Sequence, residues 1–207
     1  MRSRKRQEIV DEVKRLVKNG YQEFVLTGIH LSSYGVDCSD SLLQLILAVH
    51  EIEGVKRIRL GSLEPRIITE EFVKTISSLS KICPHFHLSL QSGCDETLKR
   101  MNRRYTAEEY LDGCALLRKY FDHPALTTDV IVGFPQESEE EFEKSRDMIE
   151  RAGFYETHIF KYSRREGTRA DRMEGQIPEP LNCERSHVPT ELGKQQKQKF
   201  MEYYLGR

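Results

Sequence analysis

Thr127-Thr128-Asp129-Val130-Ile131-Val132-Gly133-Phe134-Pro135-Gln136-Glu137-Ser138 is the stretch that decides the fold class. Its first half is apolar and rich in β-branched residues, which is typical of a buried strand. The run breaks at Gly-Phe-Pro, and Ser138 with Glu141 three residues later is the pattern of a helix N-cap with a capping box. In parallel α/β proteins, ligands bind where such strands end. The stretch therefore predicts a ligand-binding strand end shaped by Asp129, Gly133 and Pro135.

The same strand-to-helix unit recurs along the chain. Apolar runs at 23–30, 56–64, 85–93 and 155–162 predict four more strands, and amphipathic helices alternate with them at steps of about thirty residues. This alternation predicts a parallel sheet of the βα-barrel type. Because a helix precedes the first of these strands, we expect one further strand upstream of Met1.

Composition narrows the class of protein. The chain has 207 residues, 38% of them hydrophobic, and a formal net charge of −1, enough for one domain with a real core. An apolar run of about 18 residues is missing, and so is a signal-peptide pattern, so we expect no membrane association. The five cysteines are scattered, with no pair at the two- to four-residue spacing of metal sites, which favours a reduced, cytoplasmic protein.

The two ends of the chain carry charged segments. The start is basic, and the first helix is predicted to end at Asn19-Gly20. A charged amphipathic helix is predicted from Arg185 to Arg207, after a linker containing Pro178 and Pro180. We therefore divide the chain into a barrel at 1–177 and a linker with a helix at 178–207, and we expect both to belong to a larger protein.

Five predicted strand ends carry small or polar residues. A single Thr-Gly or Ser-Gly is most often a plain turn, but five such ends together predict a polar site. They are Thr27-Gly28-Ile29-His30, Gly61-Ser62-Leu63-Glu64-Pro65, Leu90-Gln91-Ser92-Gly93, Val132-Gly133-Phe134-Pro135 and Tyr162-Ser163-Arg164.

The charged residues at these ends allow two interpretations each. Glu64 is either an acceptor for an amine or ribose or a charge at a helix N-terminus, and Arg104 and Arg164 either pair a carboxylate or phosphate or are solvated. His30, His85 and His87 are expected to be packed or hydrogen-bonded in the core rather than catalytic. No hydrolase triad or phosphate-loop pattern occurs, and no catalytic residue is assigned.

Several long motifs resemble the radical S-adenosylmethionine methylthiotransferases, in the same order and spacing over nearly the whole chain. They are Leu26-Thr27-Gly28-Ile29-His30 with Ser33-Tyr34-Gly35, His87-Leu88-Ser89-Leu90-Gln91-Ser92-Gly93-Cys94-Asp95, Leu98 to Thr106, Thr128 to Pro135, and Phe160 to Thr168. Within the family, Gly28 to Gly35 is most similar to the branch that acts on threonylcarbamoyladenosine at position 37 of tRNA. The branches for isopentenyladenosine in tRNA and for an aspartate of a ribosomal protein remain alternatives.

The resemblance implies a partial (β/α)6 barrel of the TIM-like radical SAM type. It implies S-adenosylmethionine as cofactor, two [4Fe-4S] clusters in the full-length protein, and addition of a methylthio group to C2 of the tRNA base. The implied partners are the tRNA anticodon stem-loop and a reductant, in the cytoplasm; the oligomeric state is left open.

The sequence departs from the family pattern in five ways. The CxxxCxxC loop, the amino-terminal cluster domain and the carboxy-terminal RNA-binding domain are missing, so these 207 residues are expected to hold no cluster and to be inactive alone. Gln136-Glu137-Ser138 replaces the usual Gly-Glu-Thr, and Cys94 stands where serine is usual.

Carried over by motif, the cofactor-binding residues form three groups. Thr27, Gly28, Ser62 and Glu64 are expected at the methionine end. Gln91, Ser92 and Arg104 are expected at the ribose or carboxylate. The adenine side and the last strand end are expected to comprise Asp129, Val132, Gly133, Phe134, Tyr162 and Arg164.

Two readings from other classes remain open. In one, the barrel is an RNA-binding scaffold without catalysis, in which the basic start and Lys99 to Arg104 contact phosphates. In the other, the chain is an ordinary βα-barrel enzyme acting on a small phosphorylated substrate.

Overall fold

A computed structural model describes residues 2–206 of the chain. The chain forms two compact units, and each is described separately. The first comprises residues 2–87 and 115–124, and the second comprises residues 88–114 and 125–206.

The first unit begins with a helix and continues with alternating strands and helices. Its elements are α1 (Arg6–Lys18), β1 (Glu23–Leu26), α2 (Leu42–His50), β2 (Arg57–Leu60), α3 (Glu70–Ser77) and β3 (His85–His87). β1 and β2 pair in parallel, with Glu23 opposite Arg57 and Leu26 opposite Leu60. The core between helices and strands contains side chains without solvent exposure, among them Ile46, Val49, Ile58, Val73 and Ile76.

Local signals explain where these helices begin and end. The Ser41 side chain accepts a hydrogen bond from the Gln44 N–H at the start of α2, and Thr69 does the same for Phe72 at α3. α1 ends at Asn19, followed by Gly20 at a φ of +92°, as predicted.

The second unit contains the stretch that opened the sequence argument. Its elements are α4 (Asp95–Arg100), the first part of α5 (Ala107–Tyr120), β4 (Ala125–Val132), α6 (Glu139–Ala152), β5 (Glu156–Lys161) and α7 (Glu179–Tyr204). β4 and β5 pair in parallel, with Thr127 opposite Glu156 and Val132 opposite Lys161. The fully buried Tyr110 donates its hydroxyl hydrogen bond to the Leu88 carbonyl over 2.8 Å, which anchors α5 within this unit.

The predicted capping box at Ser138 is present, and a second capping box begins α5. Ser138 accepts from the Glu141 N–H while the Glu141 carboxylate accepts from the Ser138 N–H, and Thr106 with Glu109 makes the same exchange at α5. Because these contacts involve residues three apart, the sequence is sufficient to predict them.

Predicted boundaries are wrong at several places, and the strands expected at 23–30 and 56–64 already end at Leu26 and Leu60. The strand expected at 85–93 ends at His87, because the contacts of the following residues with β4 form no regular ladder: the Leu88 N–H donates to the Thr127 carbonyl over 2.9 Å, and Gln91, whose φ is +68°, forms an isolated bridge. The last helix begins at Glu179 instead of Arg185, because Pro180 occupies the first turn, where the missing N–H of proline has no helical partner to lose. The Pro178–Pro180 segment is therefore the start of α7.

Candidate functional site

The carboxyl ends of β1 and β2 lie side by side in the first unit. The Gly61 N–H donates to the Leu26 carbonyl over 2.8 Å, and a Cβ at Gly61 would lie 3.1 Å from the Thr27 hydroxyl oxygen. Thr27, Gly28 and Ser62 are exposed there. Three of the predicted site residues thus share one open edge with hydroxyl groups available to a ligand.

Glu64 faces His30 at the same edge. Glu64 Oε1 lies 3.3 Å from His30 Nε2, and the Glu64 main-chain N–H donates to the Ser32 hydroxyl over 2.8 Å. The Glu64 side chain is 35% exposed, so its carboxylate is fixed in place yet reachable from solvent. This geometry fits the predicted role of Glu64 as an acceptor and adds His30 as its neighbour.

The Ser33-Tyr34-Gly35 motif anchors the start of the chain. The Tyr34 hydroxyl donates to the Arg4 carbonyl over 3.0 Å, and the Gly35 N–H donates to the Ser3 hydroxyl over 3.0 Å. The Ser3 N–H donates to the Asp37 carboxylate over 2.8 Å, and the hydrogen bonds from Ser3 lower the pKa of Asp37. The motif therefore fixes the main chain just before α1.

A cavity of about 750 Å³ lies between α1, β1 and the loop after β1. Its wall is mainly apolar and includes Ile9, Val13, Leu16, Phe24 and Leu26, with Arg2, Arg4 and His30 at its polar side. Val25 of β1 is 58% exposed beside it. In residues 2–206, β1 forms a ladder only with β2, so its other edge is available to a further strand.

In the second unit, the Gln91-Ser92-Gly93 turn packs directly on α6. The Ser92 hydroxyl lies 3.1 Å from the Ser145 hydroxyl and accepts from the Cys94 N–H over 3.2 Å, and Ser92 has no exposed surface. The Gly93 N–H donates to Ser145 over 3.0 Å. The Ser92 side chain, predicted at the ribose or carboxylate, therefore packs against α6 inside the protein.

Gln91 joins this turn to β4 through its main chain. Its N–H donates to the Asp129 carbonyl over 2.8 Å, and its carbonyl accepts from the Ile131 N–H over 2.9 Å. Asp129 is half-buried and lies opposite His158 of β5. Gln91 and Asp129, both predicted site residues, are thus brought together.

The end of β4 has most of its main-chain groups paired within the protein. The Val132 carbonyl accepts from the Tyr162 N–H over 2.8 Å, the Phe134 carbonyl accepts from the Glu137 N–H over 2.9 Å, and the Gly133 N–H donates to the Glu137 carboxylate over 2.7 Å. By motif, these groups were expected to hold adenine. What remains for a ligand is the aromatic pair of Phe134 and Tyr162, with ring centroids 5.2 Å apart.

Tyr162 carries a polar atom available to a ligand. Its hydroxyl oxygen is buried and has no hydrogen-bond partner within the described residues, and burial raises the pKa of this phenol. A buried hydroxyl without a partner is costly unless a bound group satisfies it. Beside the Phe134 ring, it fits the polar edge of a planar base.

The two predicted site arginines differ in their surroundings. Arg164 donates to the Asp171 carboxylate and carbonyl, both over 3.1 Å, and so closes its own loop. Arg104 is exposed. Arg164 is therefore already paired, whereas Arg104 projects into solvent.

Sequence patterns did not reveal the residues of α7 that contact the β4 turn. Asn182 and Arg185 are buried, and the Asn182 amide occupies the space where a Cβ on Gly133 would lie. The buried positions of α7 recur at helical spacing on one face. They are Asn182, Arg185, Pro189 and Gly193. Two of the four are polar, so hydrophobic periodicity did not reveal the face.

The cysteines do not form a three-thiolate site within residues 2–206. Cys38 is exposed, Cys83 and Cys114 are buried elsewhere, and the ligand atoms that converge with Cys94 are the carboxylates of Glu96 and Glu141. A [4Fe-4S] cluster requires cysteine thiolates. The described donor set does not fit such a cluster.

No helix within residues 2–206 has the length and apolar character needed to cross a membrane.

These features define a class of protein. Parallel strands alternate with helices; the strand ends of the first unit carry exposed hydroxyls and a reachable carboxylate, and those of the second unit carry an aromatic pair. This is the organisation of an α/β protein that binds a polar ligand at its strand ends.

The chain belongs to the radical SAM superfamily, whose family profile matches residues 1–149. It is 42% identical over 206 residues to the threonylcarbamoyladenosine tRNA methylthiotransferase MtaB of Bacillus subtilis, covering 99% of this chain and 46% of the relative. It is 40% identical over 193 residues to the tRNA-2-methylthio-N(6)-dimethylallyladenosine synthase of Thermoanaerobacter pseudethanolicus, covering 92% of this chain and 41% of that protein. The chain thus spans about half the length of these curated relatives. The family resemblance deduced from the motifs is confirmed.

Solved structures confirm the fold class. Coproporphyrinogen III oxidase (HemN) from Escherichia coli, a radical SAM enzyme, has a TM-score of 0.64 at 14% identity and covers 93% of this chain and 46% of that one. The radical S-adenosylmethionine methyltransferase TsrM from Kitasatospora setae has a TM-score of 0.64 at 16% identity, covering 78% of this chain and 30% of that one. At such identities the likeness concerns the fold alone.

Proposed function

We propose that the full-length protein is a radical SAM transferase that adds a methylthio group to C2 of N6-threonylcarbamoyladenosine at position 37 of tRNA. The observation that carries this proposal is the 42% identity to a threonylcarbamoyladenosine tRNA methylthiotransferase over 99% of the chain. The open polar strand ends of both units support it, because a nucleoside cofactor needs polar and aromatic contacts of this kind.

The residues proposed to contact S-adenosylmethionine are those carried over by motif, and the residues of each unit are considered separately. Thr27, Gly28, Ser62 and Glu64 offer hydroxyl and carboxylate groups to the methionine end, and Glu64 suits its ammonium group. Phe134 and the unpaired Tyr162 hydroxyl suit the adenine. When bound, the cofactor supplies the methyl group and, on reductive cleavage, the reactivity that activates the substrate carbon.

The cluster that cleaves the cofactor would be supplied by a segment outside these 207 residues. The available edge of β1 and the apolar cavity beside it have the shape and chemistry to receive a further strand, since added strands pair with exposed sheet edges. The anchoring of Ser3 and Arg4 by the Ser33–Asp37 loop would then fix where that segment enters. A reductant and the tRNA anticodon stem-loop are the proposed partners, in the cytoplasm.

A second candidate is methylthiolation of isopentenyladenosine in tRNA. The 40% identity to a dimethylallyladenosine synthase is close to the 42% of the first relative, so overall similarity does not separate the two substrates. The Gly28 to Gly35 stretch favours threonylcarbamoyladenosine. The two substrates are therefore most easily distinguished by identifying which methylthiolated nucleoside the protein produces.

Deletion of the gene is expected to abolish 2-methylthio-N6-threonylcarbamoyladenosine in cellular tRNA and to leave the unmethylthiolated base in its place. The measurement is mass spectrometry of nucleosides from digested tRNA, with the methylthio-isopentenyl nucleoside followed in the same samples as the internal control. Selective loss of the isopentenyl product would support the second candidate. Unchanged levels of both products would contradict the proposal.

A further inference from the structure

The turn between β4 and α6 is held by a carboxylate inside the protein. Glu137 has only 1% of its side chain exposed, and its Oε2 accepts from the Gly133 N–H over 2.7 Å. Its own N–H donates to the Phe134 carbonyl over 2.9 Å. One residue thus fixes both main-chain groups that define how β4 ends.

Arg185 of α7 is the cationic partner of this carboxylate. Its Nη1 lies 3.1 Å from Glu137 Oε2 and 2.9 Å from the Glu137 carbonyl oxygen, and its Nη2 lies 2.8 Å from Glu139 Oε2. The guanidinium carbon lies 5.2 Å from the centroid of the Phe142 ring. With 5% of its side chain exposed, Arg185 joins α7 to the turn and to the first part of α6.

The charge of Arg185 acts on the ionisation of Glu137. Burial raises the pKa of the Glu137 carboxyl, while the Gly133 N–H and the Arg185 guanidinium lower it. Glu139 and Glu141 of α6 and Arg100 of α4 are the other charged groups near this site. Removing Arg185 would leave a buried carboxylate without its direct charge partner, which is the costly way to break a buried pair.

We propose that Arg185 is a positioning residue: acting through Glu137, it fixes the Gly133–Pro135 turn in the shape that the adenine side of the cofactor requires. The inference rests on the proposed function for the identity of the ligand. Through Arg185, α7 supports the cofactor site, although no residue of α7 is predicted to contact the cofactor itself.

The coupling is tested first by hydrogen exchange at the turn in the 207-residue chain. In Arg185→Gln, the Gly133 amide is expected to exchange at least about tenfold faster, because a change of about 1.4 kcal/mol is tenfold in an equilibrium constant. Arg185→Lys keeps the charge and is expected to recover part of the protection. Lys194→Gln, on an exposed position of α7, is the matched control and is expected to change nothing at Gly133. Equal protection in Arg185→Gln and the unmodified chain would overturn the proposal.

A second variant separates positioning from plain stabilisation. Glu137→Leu with Arg185→Met replaces the buried pair by apolar side chains, which often restores stability, but leaves the Gly133 N–H without its acceptor. We expect a melting temperature close to that of the unmodified chain, together with about tenfold weaker binding of S-adenosylhomocysteine by the full-length, cluster-loaded protein, measured by calorimetry.

Recovery of both stability and affinity in the double variant would assign Arg185 a structural role only and overturn the proposal. If the unmodified full-length, cluster-loaded protein itself does not bind S-adenosylhomocysteine, the adenine assignment under the proposed function fails. In that case the exchange rates alone decide whether Arg185 fixes the turn.

Discussion

Replacing Gly133 by alanine is expected to lower the free energy of unfolding by about 3 kcal/mol, because two separate penalties add. Gly133 has a φ of +73°, a conformation that costs residues with a Cβ about 1–2 kcal/mol. The new Cβ would also lie 1.6 Å from the Asn182 Oδ1, so the α7 amide would have to move. The measurement is urea unfolding followed by far-UV circular dichroism.

Gly167 provides the matched control for Gly133→Ala. Its φ is +82°, but a Cβ there would meet nothing within 4 Å, so Gly167→Ala carries only the conformational penalty. Combining Gly133→Ala with Asn182→Ala is expected to relieve the steric part and leave a loss near that of Gly167→Ala. Equal losses for Gly133→Ala and Gly167→Ala would show that α7 does not cover Gly133.

Gly93→Ala is expected to cost about 3 kcal/mol, the upper range for inserting a methyl group into a packed contact. A Cβ at Gly93 would lie 2.5 Å from the Met148 Cβ, 2.7 Å from the Ser145 Cα and 2.9 Å from the Lys144 carbonyl oxygen. Two of these three atoms belong to the α6 main chain, so no rotamer change removes the overlap. The Gln91–Gly93 turn would have to leave α6, and urea unfolding of the variant measures the loss.

Gly193→Ala is the control for Gly93→Ala, because it is expected to change the free energy of unfolding in the opposite direction. Gly193 lies inside α7, and a Cβ there would be 3.6 Å from the Thr157 Cβ, an ordinary contact. Alanine in a helix interior is favoured over glycine by about 0.5–1 kcal/mol, so Gly193→Ala is expected to stabilise the chain. A destabilised Gly193→Ala or an undisturbed Gly93→Ala would contradict the described packing of α7 and α6.

The sequence was sufficient where the structure depends on near neighbours. The Ser138–Glu141 and Thr106–Glu109 capping boxes and the Ser41 cap involve residues three apart, so their residue types predict them directly. The strand-to-helix alternation and its parallel pairs follow from hydrophobic periodicity in the same way.

The sequence was insufficient where contacts join distant residues. Ser92 was expected to face the cofactor, but its hydroxyl contacts Ser145, 53 positions away. Arg185 reaches Glu137 across 48 positions, and nothing local to either residue reveals the pair. The strand expected around Gln91 is interrupted because Gln91 has a positive φ, which the apolar pattern around it does not predict. Packing across the fold decides these details.

The account is tested most directly by a reaction on two synthetic anticodon stem-loops. One carries N6-threonylcarbamoyladenosine and the other N6-isopentenyladenosine at position 37, and each is incubated with the full-length, cluster-loaded protein, S-adenosylmethionine, a reductant and a sulfur donor. Mass spectrometry of the digested RNA is expected to show a methylthio group on the threonylcarbamoyl base alone. A methylthio group on the isopentenyl base alone, or on neither, would contradict the account.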